Sequence, residues 1–137
     1  MKNKNKAVWG ARFNKTTSEI FEKIGASIDV DKRLFEEDIF GSIVHTKMLA
    51  KQKIIDKKIA KKIIYGLKKI RGEIRKNKFN FNKKYEDIHL NIEKRLFELI
   101  GEHAGYLHIA RSRNDQVITD FKLWIKNASN EIIKNIN

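Results

Sequence analysis

Between Ala110 and Gln116 the chain reads Ala-Arg-Ser-Arg-Asn-Asp-Gln, placing two guanidinium groups, a hydroxyl and two carboxamides at the entrance of a helical pattern. The first turn of a helix offers backbone N–H groups without intrahelical acceptors, and arginine grips a carboxylate through two parallel hydrogen bonds. A ligand carrying several carboxylates suits this set. If the segment is extended, Arg111 and Arg113 point to opposite sides, and Arg113, beside Asn114, is the one expected to meet the ligand. The same side chains equally suit capping of the helix and pairing with Asp115 or Asp120, and composition does not choose between the two uses. A second feature is His89, whose ordinary pKa near neutrality suits proton transfer.

The elements that must hold these groups read as helices. The chain has no proline, and its apolar residues recur at three- and four-residue spacing, so an all-α fold is expected. A short helix is predicted from about Ser18 to Ala26, with Ile20, Phe21 and Ile24 inward. Asp31 then stands where an N-cap belongs, and Leu34, Phe35, Ile39, Ile43, Met48 and Leu49 carry an apolar face to about Lys51. Glu36, Glu37 and Asp38 favour the positive end of that helix. A third helix opens at Asp56 and turns Ile59, Ile63, Leu67, Ile70 and Ile74 inward, antiparallel to the one before it. Residues 77–84 lack a period and read as a loop. Another helix is expected from about Tyr85, burying Ile88, Ile92, Leu96, Leu99 and Ile100 and ending at Gly101. After a turn or short helix over 102–112, Val117, Phe121, Trp124, Ile125, Ile132 and Ile136 describe a long final helix still running at the last residue, which points to truncation.

Charge is unevenly placed. Of the 30 Lys and Arg residues, 14 lie between Lys51 and Lys84 against two acids, Asp56 and Glu73, although the whole chain carries a net charge of +13. Such a block is either a solvated helix face or an electrostatic footprint for nucleic acid. The helical face of the block carries no interleaved aromatics and matches no recognised nucleic-acid module, which favours the solvated face. The absence of cysteine excludes disulfides, thiolate metal sites and thiol nucleophiles. No uncharged stretch approaches the roughly 20 residues of a spanning helix, and the basic N-terminus lacks a signal-peptide apolar region, so a cytoplasmic protein is expected.

Read at full length, Gly105-Tyr106-Leu107-His108-Ile109-Ala110-Arg111-Ser112-Arg113-Asn114-Asp115-Gln116-Val117, followed by Thr119 and Asp120, closely resembles the G-x-L-H-x-(A/G)-R-S-R-N-D-Q-V-x-T-D stretch of the argininosuccinate lyases. Trp9-Gly10-Ala11-Arg12-Phe13 is similar to that family's W-G-G-R-F opening. Ala26-Ser27-Ile28 with Asp31 and Leu34 is similar to its A-S-I-x-x-D-x-x-L element. Further matches are Asp38-Ile39-x-Gly41-Ser42, Glu86-Asp87-Ile88-His89 and Glu93-x-Arg95-Leu96-x-Glu98-Leu99-Ile100-Gly101. The resemblance covers essentially the whole chain in order; Ala11 and Gly25 depart from it.

The resemblance implies an all-α member of the fumarase/aspartase superfamily. Residues 1–112 would form its N-terminal helical domain, and 113–137 the beginning of a long helix of the central bundle. It implies cleavage of argininosuccinate to arginine and fumarate by β-elimination, in arginine biosynthesis, with no organic cofactor and no metal. A homotetramer would share each active site among subunits, with no role for a membrane or nucleic acid. Ser27, Arg113 and Asn114 match substrate-binding positions, with Arg111, Ser112, Asp87 and His89 as supports. His89 is expected to organise Asp87 and the helix start rather than to transfer protons. The family's Thr-His pair and its serine loop have no counterpart here, so no catalytic residue is assigned and the chain alone is expected to be inactive. Two alternatives remain: a basic helical nucleic-acid-binding protein, and an inactive relative of the delta-crystallin kind.

Overall fold

In the computed structural model, which describes residue 20 and residues 24–136, every regular element is helical, as expected. Trp9, Arg12, Phe13 and most of the helix predicted over 18–26 lie outside the described residues. Helix α1 (Ile28–Asp31) continues through a 3-10 turn (Lys32–Leu34) into α2 (Phe35–Lys51). Helix α3 (Lys57–Arg75), a 3-10 turn (Lys83–Tyr85), α4 (Ile88–Ile100), a longer 3-10 segment (Gly101–His108) and α5 (Arg113–Ile136) follow.

Local chemistry accounts for the boundaries. Asp56 is extended and accepts a hydrogen bond from the Lys58 N–H at 2.6 Å, so it caps α3 as predicted. Asp87 does the same for α4, accepting from the Leu90 N–H at 2.6 Å, which starts that helix at Ile88 rather than near Tyr85. Gly101 ends α4 with φ of +66°, a left-handed conformation that suits glycine. Asp31 departs from expectation. It lies at the end of α1 instead of capping the long helix, and its carboxylate accepts from the Ser27 hydroxyl and from the backbone N–H of Ile88, 57 residues on. Asp31 thereby ties α1 to the first turn of α4.

Helix α3 is amphipathic in the simplest sense. Ile63, Leu67, Ile70 and Ile74 are buried, while Lys57, Lys58, Lys61, Lys62, Lys68 and Lys69 are exposed around them. It packs along α2 on one side and α4 on the other, and Ile39, Ile43, Leu49, Ile88, Ile92 and Leu96 complete the core. Gly66 is required at the α3–α4 crossing, where a Cβ would meet Leu96 Cδ1 at 2.5 Å. Arg95 of α4 grips both carboxylate oxygens of Glu73 on α3 at 2.9 Å, and Arg75 of α3 reaches Glu36 of α2 at 2.5 Å.

Helix α5 is held differently. It lies against α2, yet its buried side chains are Gln116 and Asp120. Its apolar residues Val117, Ile118, Phe121, Ile125, Ile132, Ile133 and Ile136 are exposed.

Candidate functional site

The site grows from one face of α2. Asp38, Gly41, Ser42 and His45 recur at intervals of three and four residues and therefore line one side of the helix. Opposite them lie Ile109, Arg111, Gln116 and Asp120. The Arg111 guanidinium donates to Ser42 Oγ at 2.8 Å, the His45 ring nitrogen Nε2 donates to the carbonyl of Ile109 at 2.9 Å, and the Gln116 amide donates to Asp38 Oδ1. Gly41 leaves room for this layer, since a Cβ there would stand 3.3 Å from Asp120 Oδ1 and 3.8 Å from an Arg111 nitrogen.

From α4, His89 enters the same layer. Its Nδ1 stands 2.9 Å from Asp38 Oδ1 and 3.6 Å from Asp120 Oδ2, and all three side chains are essentially inaccessible to solvent. Burial alone drives His89 toward its neutral form, but the hydrogen bond and charge of Asp38, with the charges of Asp87 and Asp120, outweigh it and raise its pKa. Burial likewise pushes Asp38 upward, and His89, Gln116 and Arg111 together hold it below the usual carboxylate range. Asp120 shows the opposite balance. Burial and the nearby Asp38 charge push it up to about 7, and neither of its oxygens has a hydrogen-bond donor among the described residues. Protonated, Asp120 donates to Asp38, which satisfies one of its two orphaned oxygens.

Asp38, His89 and Asp120 bring three ligand atoms within 4.8 Å of one another, a spacing that suits a metal ion. The charges are already answered within the protein, because His89 and Arg111 stand against the two carboxylates. A cation would have to displace the proton that joins His89 to Asp38, so the donor set reads as an internal ion-pair network.

Arg113 opens α5. One of its Nη1 hydrogens goes to Gln116 Oε1 at 2.7 Å and that nitrogen also lies 2.9 Å from Glu93 Oε1, while Asp87 Oδ2 stands 3.9 Å from Nε. Ser112 caps the helix, its Oγ accepting from the Asn114 N–H at 3.2 Å and its carbonyl from the Gln116 N–H at 3.1 Å. The Asn114 side chain is exposed. Ser27, also exposed, donates its hydroxyl to Asp31 at 2.6 Å, and its backbone N–H, like that of Ile28, binds the carbonyl of Glu86 at 2.9 Å. Ser27, through its backbone N–H to Glu86, and Arg113, through Nε beside Asp87, thus adjoin one turn, residues 86–88. That turn is tightly bent, Glu86 having a left-handed φ of 58°.

A sequence model of the lyase family matches residues 11–137. The chain belongs to that family. Argininosuccinate lyase of Pelagibacter ubique is 64% identical over the whole chain, that of Bartonella bacilliformis 53% identical over 91% of it, and that of Ehrlichia canis 54% identical over 87%. This lyase-family chain spans only about 30%, 27% and 25% of the length of those relatives.

Of the residues singled out in the sequence of this chain, Arg113, Asn114, Ser112 and Asp87 come together at the α5 entrance, and Ser27 binds the 86–88 turn that carries Asp87. Arg111 departs to Ser42, in keeping with the expectation that the two arginines face apart. Arg113 pairs with Glu93 and Gln116 rather than with Asp115 or Asp120. His89 corrects an expectation: its hydrogen bond runs to Asp38 of α2, not to Asp87. Sequence reasoning passed over Asp38, Ser42, Glu93, Gln116 and Asp120 as a group. The signal available was the pair of polar stripes, 38/41/42/45 and 116/120, each at helical spacing.

Proposed function

We propose that this chain supplies the carboxylate-binding side of an argininosuccinate lyase site, with Ser27, Arg113 and Asn114 contacting substrate and Arg111, Ser112, Asp87 and His89 holding them. The observation that carries this reading is the convergence of Ser27 and Arg113 on the 86–88 turn, beside a capped helix entrance, in a chain whose relatives are argininosuccinate lyases. With Nη1 engaged by Gln116 and Glu93 and Asp87 standing 3.9 Å from Nε, Nη2 is the guanidinium nitrogen of Arg113 offered to a carboxylate. Ser27 and Asn114 add a hydroxyl and an amide suited to the polar groups of argininosuccinate.

The reaction is a β-elimination releasing fumarate and arginine. It needs a base at the carbon beside a carboxylate and an acid at the departing nitrogen. His89 is unsuited to either role, being 2% exposed and committed to Asp38. The acid and the base come from residues outside these 137, and no organic cofactor or metal takes part.

Residues 1–112 serve as the N-terminal domain and 113–137 as the opening of the central bundle. The exposed apolar face of α5 is the surface on which subunits of a cytoplasmic homotetramer pack. No described helix is long and apolar enough to cross a membrane.

The test is replacement. Exchanged for the corresponding residues of the Pelagibacter ubique enzyme, this chain yields a chimera that releases fumarate from argininosuccinate, followed by ultraviolet absorbance, while the 137 residues alone release none. Robust turnover by the chain alone, or a folded chimera without turnover, refutes the reading.

A further inference from the structure

We propose that Gln116 and Asp38 are positioning residues for Arg113: a buried amide, oriented by a buried carboxylate, fixes which edge of the guanidinium faces the ligand. The inference rests on the reading of Arg113 as a carboxylate-binding residue and assigns the machinery that aims it.

A side-chain amide has one donating and one accepting end, and in most surroundings either orientation is workable. Here the surroundings permit one. Asp38 presents only acceptors to the Gln116 amide, so the NH2 group must turn toward it and the carbonyl is left facing Arg113. Arg113 has only donors, so it accepts that arrangement and no other. Turning the amide over would set carbonyl against carboxylate and NH2 against guanidinium at once.

Burial makes the constraint effective. Gln116 is 2% exposed and Asp38 1%, so water cannot substitute for a lost partner. Asp38 Oδ1 also accepts from His89 of α4, so donors run from Arg113 through Gln116 to Asp38 and from His89 to the same carboxylate, joining three helices. Glu93, on the same helix as His89, holds the guanidinium from the other side at 2.9 Å. Rotation of Arg113 about its long side chain is thereby blocked before any ligand arrives, and the ordering cost is removed from binding.

The experiment uses the isotope-labelled 137-residue chain and follows the side-chain Nε–Hε signals of Arg113 and Arg111 by nuclear magnetic resonance. In the wild type, one Gln116 amide proton is protected from exchange and Arg113 gives a distinct Nε–Hε signal. Gln116→Met keeps length and removes both hydrogen bonds. It is expected to return the Arg113 signal to the position of an unrestrained arginine while the Arg111 signal, held by Ser42, stays. An Arg113 signal unmoved by Gln116→Met overturns the proposal. Should the Met variant not fold, wild-type exchange decides: two Gln116 amide protons exchanging at solvent rates overturn it equally.

Titration with argininosuccinate, read at the backbone N–H of Asn114, separates the positioning claim from the reading beneath it. Arg113→Ala weakens binding by at least about tenfold, to a Kd still measurable at millimolar ligand, if Arg113 binds carboxylate, and an undiminished response refutes that reading whatever the spectrum shows. Gln116→Met is expected to weaken binding about tenfold in the wild-type background and not further in the Arg113→Ala background. Independent, additive losses overturn the positioning role.

Discussion

The crossing of α3 and α4 gives a prediction in which one substitution has opposite signs at two positions of one helix. Replacing glycine by alanine in a helix interior gains roughly 1 kcal/mol of propensity wherever the added methyl meets nothing. At Gly72 a Cβ finds no atom within 4 Å, so Gly72→Ala should stabilise by up to that amount. At Gly66 the same Cβ lands 2.5 Å from Leu96 Cδ1 and 3.4 Å from Ile100 Cγ2. Ordinary carbon contacts lie at about 3.5–4.0 Å, so Leu96 has to give way by about 1 Å. Leu96 is fully buried and has no solvent to retreat into, and forcing a methyl into such packing costs about 1–3 kcal/mol. Net of the propensity gain, Gly66→Ala should destabilise by up to about 2 kcal/mol, leaving the two variants about 1–3 kcal/mol apart. Urea denaturation followed by far-ultraviolet circular dichroism measures both on one scale. Equal stabilisation by the two substitutions would show that α3 and α4 do not approach as closely as the structure has them.

The buried carboxylates predict a pH dependence. Asp120, raised to about 7, favours its protonated form in the fold, so its contribution is best below its unfolded value near 4 and worsens as pH climbs toward about 7. Raised His89 acts in the same direction, stabilising below its ordinary range and losing that effect as pH passes its raised value. Depressed Asp38 acts oppositely, its contribution vanishing as pH falls below the ordinary carboxylate range. Asp120→Asn, whose amide donates to Asp38 at every pH, should therefore raise the melting temperature clearly at about pH 8 and little at about pH 5; a uniform effect across that range would contradict the assignment. Asp87→Ala removes the cap of α4 and should cost about 1 kcal/mol in urea denaturation. Tenfold weaker argininosuccinate binding should accompany it, since Asp87 also faces Arg113; an unchanged Kd removes that second role. Finally, the lysines of α3 read as a solvated face, so fluorescence anisotropy with random-sequence duplex DNA should show no binding in moderate salt. Tight, steeply salt-dependent binding would revive the nucleic-acid alternative.

Periodicity made α3 legible almost residue by residue, because its isoleucines and lysines segregate on two faces and its cap is adjacent in sequence. Helix α4 was legible for the same reason, apart from a start displaced by the caps at Asp87 and Asp31. The motif around Arg113 was legible as anion-binding chemistry, and the structure adds that Ser112 caps while Arg113 projects. What sequence could not supply was partnership at long range. Asp38 reads as a favourable charge in the first turn of a helix, and nothing local says that it is buried against His89, 51 residues away, and Gln116, 78 away. Helix α5 carries the clearest mismatch between pattern and packing. Its apolar stripe is the visible signal, yet its fully buried side chains are Gln116 and Asp120, and its hydrogen bonds to α2 run from Gln116 and Asn127.

That inverted contact has an evolutionary consequence. An isoleucine of the core can drift to leucine or valine at modest cost, since neighbours adjust to a similar volume. Asp38, Ser42, His89, Arg111, Gln116 and Asp120 have no such latitude, because changing one strands its dry partner with an unmatched donor, acceptor or charge. Across relatives, these six positions should change together or not at all, and paired substitutions among them would trace the α2–α5 seam in sequences for which no structure is known.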